Sequence, residues 1–200
     1  KFRAKFILES ISDLKKNLEK LNITLIITHE DLGLSINKVI NKYHIDNIYT
    51  QREWTRDEII QEKNIPNDVN LIRDFDQFMY SPNDVSEIYE KIPRGFSNFR
   101  KKCEKLVTIN DTLPSPVSLN IDNQIDDEYG VPSLSDLGYE YFEVHRESAF
   151  KFTGGETSGI NRVNEYFFQS RNLSKYKLTR NGLLGENYSS KISSWLSNGC

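Results

Sequence analysis

Cysteine and methionine are nearly missing from this chain. Its 200 residues include two cysteines, Cys103 and Cys200, and one methionine. Two cysteines are too few for a disulfide framework, so reduced thiols and a cytoplasmic setting are expected. No run of about 18 apolar residues occurs, which excludes a transmembrane helix. Lys1 to Lys5 do not lead into the apolar core of a signal peptide. The chain opens on lysine instead of methionine, and we expect it to lie within a longer protein. His29, His44 and His145 are scattered, and neither cysteine has a partner at ligand spacing, so no metal site is expected. No G-x-G-x-x-G follows a predicted strand, and neither a Walker A sequence nor a G-x-S-x-G elbow is present. The usual dinucleotide and P-loop sites are therefore not expected.

What is present is globular. Apolar residues make up 37% and charged residues 28%, and 11 Phe, 10 Tyr and 2 Trp supply buryable surface. That composition excludes wholesale disorder and suits one or two domains. The net charge of −3 is unevenly spread. Residues 1–106 carry 18 basic and 17 acidic side chains, residues 107–150 carry 1 and 9, and residues 151–200 carry 7 and 3. An acidic stretch followed by a basic one points to two units with different partners, or simply to solvated surface.

Periodicity supplies the architecture. Ile7, Ile11, Leu14, Leu18 and Leu21 form one helical stripe, ended by Asn22. Ile23 to Thr28 is a short β-branched run, read as a buried parallel strand. A second helix carries Ile36, Val39, Ile40 and Tyr43, with Ser35 as its expected N-cap. Strands are expected at Ile45 to Thr50 and Val69 to Phe75, with a helix capped by Thr55 between them. This alternation is the signature of an α/β fold with a parallel sheet and helices on its faces. Ser81 to Asp84 reads as a turn or a helix start, and Phe96, Phe99, Cys103 and Leu106 as a further helix with Cys103 in the core. Residues 107–138 hold Pro114, Pro116 and Pro132 and read as a connection. From Gly155 the pattern turns helical, with a stripe of Ile160, Val163 and Phe167. A short helix is expected within 171–180, and Ser190 opens another.

Several groups could carry chemistry. In an open parallel sheet, ligands bind beyond the carboxyl ends of the strands. Those ends are the loops His29–Gly33, Gln51–Arg56 and Phe75–Tyr80. Glu53 beside Trp54 pairs a carboxylate with an aromatic plate, which suits a flat heteroaromatic ligand or an ordinary solvated loop. Gly154-Gly155-Glu156-Thr157 before a helix is either an anion cradle or a tight turn. Ser189, Ser190, Lys191, Ile192 and Ser193 place three hydroxyls and an ammonium at a predicted helix start. That arrangement suits a phosphate, or a plain helix cap.

The stretch from Ala149 to Cys200 then resembles the DASH class of the cryptochrome/photolyase family. The class shows F-x-GGE-(T/S), then Y-K-x-T-R-N-G-L-(L/I)-G, then Y-S-(T/S)-K-(F/I)-S-x-W-L-x-x-G-C. Nearly every element stands here in that order and spacing. Ala4 to Ser10 with Leu14 and Asn17-Leu18 is similar to the family's first long helix. Pro93-Arg94-Gly95-Phe96 with Phe99 to Lys102 is similar to its segment before the interdomain connection.

The resemblance implies a Rossmann-like α/β antenna domain at 1–106, a connection at 107–148, and the start of an all-α FAD-binding domain at 149–200. It implies a light-driven DNA repair flavoprotein, a deoxyribodipyrimidine photo-lyase. In such an enzyme reduced FAD donates an electron to a cyclobutane pyrimidine dimer in DNA, single-stranded DNA being favoured, and recovers it after cleavage. A folate antenna, 5,10-methenyltetrahydrofolate, is implied on the α/β domain. The family's phosphate-contacting pattern maps onto Tyr176 and onto Ser189, Ser190, Lys191, Ile192 and Ser193, and its folate carboxylate maps onto Glu53. Lys191 replaces the general family's Arg, as is usual in the DASH class, and Ser194 replaces Pro. Arg180 and Asn181 are expected to organise the loop. The family's first strand is expected before Lys1. Its flavin-embracing and electron-transfer residues are expected beyond Cys200, so no catalytic residue is assigned and the isolated chain is expected to be inactive. The full-length protein is expected to be monomeric. The alternatives are a blue-light sensor of the same family and a stand-alone nucleotide- or pterin-binding module.

Overall fold

The first apolar stripe falls in helix α1, Phe2–Glu19, which ends short of Leu21; the residue it buries is Phe6, outside the stripe, while Leu14 is 46% exposed. Asn22 follows in the left-handed region at φ 58°, a conformation asparagine tolerates, and the chain turns there. The computed structural model describes residues 1–75 and 77–200. The chain divides into two compact units, residues 30–115 and residues 1–29 together with 116–200.

Residues 30–115 hold the parallel sheet. Helix α2 spans Leu32–Tyr43, strand β1 Asn47–Gln51, helix α3 Arg56–Glu62 and strand β2 Asn70–Asp74. β1 and β2 pair in parallel from Asn47 opposite Asn70 to Gln51 opposite Asp74. Asn70 Nδ2 also donates to Asn47 Oδ1 at 2.9 Å across the pair. Parallel neighbours need a crossover, and α3 supplies it. The N-cap of α2 is Asp31 and not Ser35: the carboxylate accepts from the Gly33 and Leu34 amides. A charged acceptor gains more at a helix N-terminus than a hydroxyl does. Ser35 instead lies inside the first turn, with its N–H on Asp31 O at 3.0 Å. His44 ends α2 in the left-handed region, its N–H on Ile40 O. Thr55 stands at the N-cap of α3, but its side chain makes no capping bond. Ser81 does cap helix α4, Pro82–Ile88, through the Asn83 amide. Helix α5, Phe96–Leu106, buries Cys103 completely.

The run Ile23 to Thr28 pairs with no strand among the described residues. A β ladder needs a neighbouring strand to take its main-chain groups. Here the neighbour is the acidic connection: Thr24 Oγ1 accepts from Ile125 N at 2.9 Å, and Leu119 N donates to Leu21 O at 2.8 Å. Lys15 forms an ion pair with Asp127, which also accepts from the Tyr129 and Gly130 amides.

In the unit of residues 1–29 and 116–200 the core is aromatic. Trp195, 2% exposed, sits among Phe6, Phe150 and Phe152 with ring centroids 5.5–5.8 Å away. Such tilted contacts add roughly 0.5–1.5 kcal/mol per pair beyond area burial. Helix α6 spans Glu156–Val163, and a π-helical turn continues it over Asn164–Gln169. The face it buries is Gly159, Arg162 and Tyr166. The expected stripe Ile160, Val163 and Phe167 is thus displaced by one residue, and Ile160 is 53% exposed. The reason is Gly159: a Cβ there would lie 3.0 Å from Trp195 Cδ1, so only a glycine face admits the indole. Helices α7, Tyr176–Thr179, and α8, Ser193–Leu196, are single turns. No helix among the described residues is long and apolar enough to cross a membrane.

Candidate functional site

The loop that carries the serines is held from behind by one buried side chain. Arg162 is 4% exposed and all five of its N–H donors are used. Nε donates to Ser190 O at 2.9 Å, and Nη2 to Glu186 O at 2.8 Å and Ser189 O at 3.1 Å. Nη1 donates to Asn187 Oδ1 at 3.1 Å and to the Glu165 carboxylate. The guanidinium lies 4.8 Å from the Phe152 ring centre and 5.0 Å from that of Tyr166. Burying a charge is costly unless every donor is met, and here every donor is met. Burial pushes the Tyr166 phenol up, against the pull of Arg162.

This clamp has a geometric consequence. Among the described residues every peptide bond is trans. In a trans peptide the C=O and the following N–H point in opposite directions. With Ser189 O and Ser190 O on Arg162, the N–H groups of Ser190 and Lys191 point away from it. Neither amide donates to an acceptor among the described residues. Lys191 adopts φ 64°, the left-handed region, and its ammonium sits 3.4 Å above the Tyr188 ring centre. Alternating backbone handedness with free amides forms a concave anion-binding nest.

The structure brings Tyr176 to this loop indirectly. Thr179, at the end of α7, donates from Oγ1 to Tyr188 O at 3.1 Å, and Gly182 N donates to Thr179 O at 2.8 Å. Tyr176 is 42% exposed. Ser189, Ser190, Lys191 and Ile192 are half-buried, and Ser193 is exposed. The expected helix start is a single turn from Ser193, so loop amides and hydroxyls, not a helix dipole, are what the segment offers an anion. Arg180 closes the α7 turn through its N–H on Tyr176 O, while its side chain is exposed. The residue that organises the loop is Arg162, which the sequence reading passed over. Its signal was a lone arginine three residues after Gly159 and four before Tyr166, on a face that only the placement of Trp195 identifies as buried.

The Gly154–Thr157 turn is satisfied from within. Gly154 N donates to Glu9 Oε2, Gly155 N to Ser10 Oγ, and Thr157 N to Asp13 Oδ2, each at 2.9 Å. Three side chains of α1 thus take the donors at the start of α6. A Cβ on Gly154 would stand 2.1 Å from Phe6 O, and Gly155 adopts φ 99°. The glycines exist for that close approach, and of the two readings the tight turn is the one observed.

Within residues 30–115, Glu53 lies beyond β1. Its Oε2 accepts from Gln77 Nε2 at 2.9 Å. Trp54 stacks on Phe75 at 5.5 Å and 19°, and Arg52 lies 5.3 Å from both rings. Trp54 remains 44% exposed, so a carboxylate, a guanidinium and an aromatic plate share one edge of the strands. Asp76, within the Phe75–Tyr80 loop, lies outside the described residues.

Comparison with known proteins gives a consistent picture. The sequence profile of the DNA photolyase family matches residues 1–117. The chain is similar to a cryptochrome DASH of Gloeobacter violaceus, 36% identical over 204 residues, covering all of this chain and 41% of that protein. It is also similar to an Arabidopsis thaliana protein named cryptochrome DASH, chloroplastic/mitochondrial, 33% identical, covering 99% of this chain and 36% of that one. The crystal structure of a cryptochrome from Synechocystis sp. superposes with a TM-score of 0.88 at 29% identity, over 99% of this chain and 42% of that one. An archaeal photolyase from Sulfolobus tokodaii, solved with two FAD molecules, shares the fold at a TM-score of 0.63 and 18% identity, over 99% of this chain and 41% of that one. The chain therefore spans about two fifths of the length of these proteins.

Proposed function

The chain belongs to the DNA photolyase family, and from that premise we propose that its full-length protein is a light-dependent flavoprotein of the DASH class that splits cyclobutane pyrimidine dimers. Single-stranded DNA is the substrate we assign, the protein acting as a monomer in the cytoplasm. In this reading residues 1–106 form the antenna-type domain, 107–148 the connection, and 149–200 the start of the flavin-binding domain.

The observation that carries the reading is the loop at Ser189–Ser193. Two adjacent amides, Ser190 and Lys191, are turned to one side and donate to no acceptor among the described residues. Ser189, Ser190 and Ser193 add hydroxyls, Lys191 an ammonium, and Tyr176 a phenol on a neighbouring turn. Amides, hydroxyls and one cation are the donor set a pyrophosphate takes, so these residues fit FAD. When bound and reduced, FAD supplies the electron that opens the dimer. The chain's own part is to hold the pyrophosphate and fix its position.

Glu53 and Trp54 are the residues we assign to a folate antenna, 5,10-methenyltetrahydrofolate. A carboxylate suits the amino-pyrimidine edge of a pterin, and an exposed indole suits its face.

The test is light-dependent repair by the full-length protein of a single-stranded oligonucleotide carrying one pyrimidine dimer. Repair under blue light and none in the dark is expected, with duplex DNA repaired more slowly. Bound flavin without light-dependent repair of either substrate would favour the sensor reading, which the name cryptochrome on the relatives supports.

A further inference from the structure

We propose that Arg162 is the positioning residue of the pyrophosphate loop: without touching the cofactor, it fixes the direction of the amides that receive it. The inference rests on the reading of Ser189–Ser193 as that loop.

Three observations carry it. First, the loop has no regular structure of its own, since helix α8 begins only at Ser193 and is one turn long. Loops of this kind sample many conformations unless tied down. Second, Arg162 takes the carbonyls of Glu186, Ser189 and Ser190 and the side chain of Asn187. Each carbonyl so held sends the next N–H the other way, which includes the consecutive amides of Ser190 and Lys191. Third, the loop is strained where it would bind. Lys191 sits at φ 64°, which costs a non-glycine residue about 1 kcal/mol. Strain of this kind persists only where the surroundings over-determine it, and the Arg162 clamp is the over-determining contact.

The guanidinium is suited to this and an ammonium is not. Five donors in a planar fork reach five acceptors at once, while lysine has three donors and no plane. The fork is also fixed by the Phe152 and Tyr166 rings. A loop fixed before binding loses less conformational freedom on binding, and that difference appears as affinity.

The test compares two probes on the apo form of the full-length protein: FAD, and riboflavin, which has the same isoalloxazine but no phosphate. Dissociation constants are read from flavin fluorescence, and the order of the loop without ligand from the rate of limited tryptic cleavage after Lys191. Arg162→Lys is expected to weaken FAD by about ten-fold, the equivalent of one misdirected hydrogen bond, to leave riboflavin within about two-fold, and to speed cleavage after Lys191. Glu165→Gln loosens the same guanidinium from its partly exposed side without opening the core, and is expected to act in the same direction with a smaller effect. Equal losses for FAD and riboflavin mean general damage and overturn the proposal. FAD affinity unchanged in both variants, with wild type preferring FAD over riboflavin, overturns it while leaving the pyrophosphate reading intact. A wild-type protein that binds riboflavin as tightly as FAD overturns the pyrophosphate reading, and this inference with it.

Discussion

Gly154→Ala is expected to be among the most damaging small substitutions in the chain. The added methyl would stand 2.1 Å from Phe6 O, 2.6 Å from Ser10 Oγ and 3.0 Å from Ser10 N. Two of those atoms are backbone in the middle of α1, so rotating a side chain does not relieve the clash. The turn must withdraw from α1 by about an ångström, the amount of overlap at ordinary van der Waals separations. That withdrawal breaks the Gly154–Glu9 and Gly155–Ser10 bonds and loosens Thr157 from Asp13. One bond to a hydroxyl is worth about 1 kcal/mol, and one to a half-exposed carboxylate about 1.5 kcal/mol. Overpacking adds roughly 1–3 kcal/mol. Local opening of the start of α6 should therefore become easier by about 3.5–5.5 kcal/mol, or roughly 300- to 10⁴-fold in its equilibrium constant. Hydrogen exchange at the Gly155 and Thr157 amides of the full-length protein reads this directly. Gly95→Ala is the control, because the nearest atom to its Cβ would be Asn98 Nδ2 at 3.9 Å, and it should change stability by under about 1 kcal/mol. Protection at Gly155 and Thr157 within ten-fold of wild type in Gly154→Ala would refute the close-approach argument.

Two further outcomes follow from the same contacts. The Lys15 ammonium beside Asp127, helped by the Tyr129 and Gly130 amides, holds that carboxyl below the usual carboxylate range. A depressed folded value means the stabilisation is complete above the unfolded value near 3.9 and is lost as pH falls through the folded one. Asp127→Asn should then cost about 1 kcal/mol near neutral pH, and urea unfolding should show the two proteins converging as pH drops below about 4; a gap that does not change with pH contradicts this. For the antenna, Trp54→Ala and Glu53→Gln should each weaken 5,10-methenyltetrahydrofolate about ten-fold, an effect of roughly 1.4 kcal/mol, as read by the chromophore's absorbance after gel filtration. Retention as high as wild type in both variants would remove the folate from that site.

The legible parts of this molecule were those set by local rules. The presence of the first helix, the turn or helix start at Ser81, the parallel pair β1 and β2, and buried Cys103 all follow from spacing and turn chemistry, whereas the residue α1 buries is Phe6 and not one of the expected stripe. The parts not legible depend on contacts far apart in sequence. Ile23 to Thr28 has strand composition, but within it the Thr24 side chain bonds Ile125 about a hundred residues away, and composition carries no partner. The α6 stripe was displaced because Trp195 selects the Gly159 face, and that choice is made 36 residues downstream. The site divides the same way. The serines and Lys191 are visible as a motif, whereas Arg162 acquires its role only once Trp195 has turned it inward. The Gly-Gly turn was ambiguous alone because its three acceptors lie on α1, more than 140 residues earlier.

The central claim, that the Ser189–Ser193 loop receives the pyrophosphate of FAD, is tested most directly by reversing the charge it offers. Apo full-length protein carrying Lys191→Glu is titrated with FAD beside wild type at low and high salt. Affinity is expected to be lower by about ten-fold at low salt, with the gap narrowing as salt screens the carboxylate. Equal FAD affinity for the two proteins at low salt would contradict it.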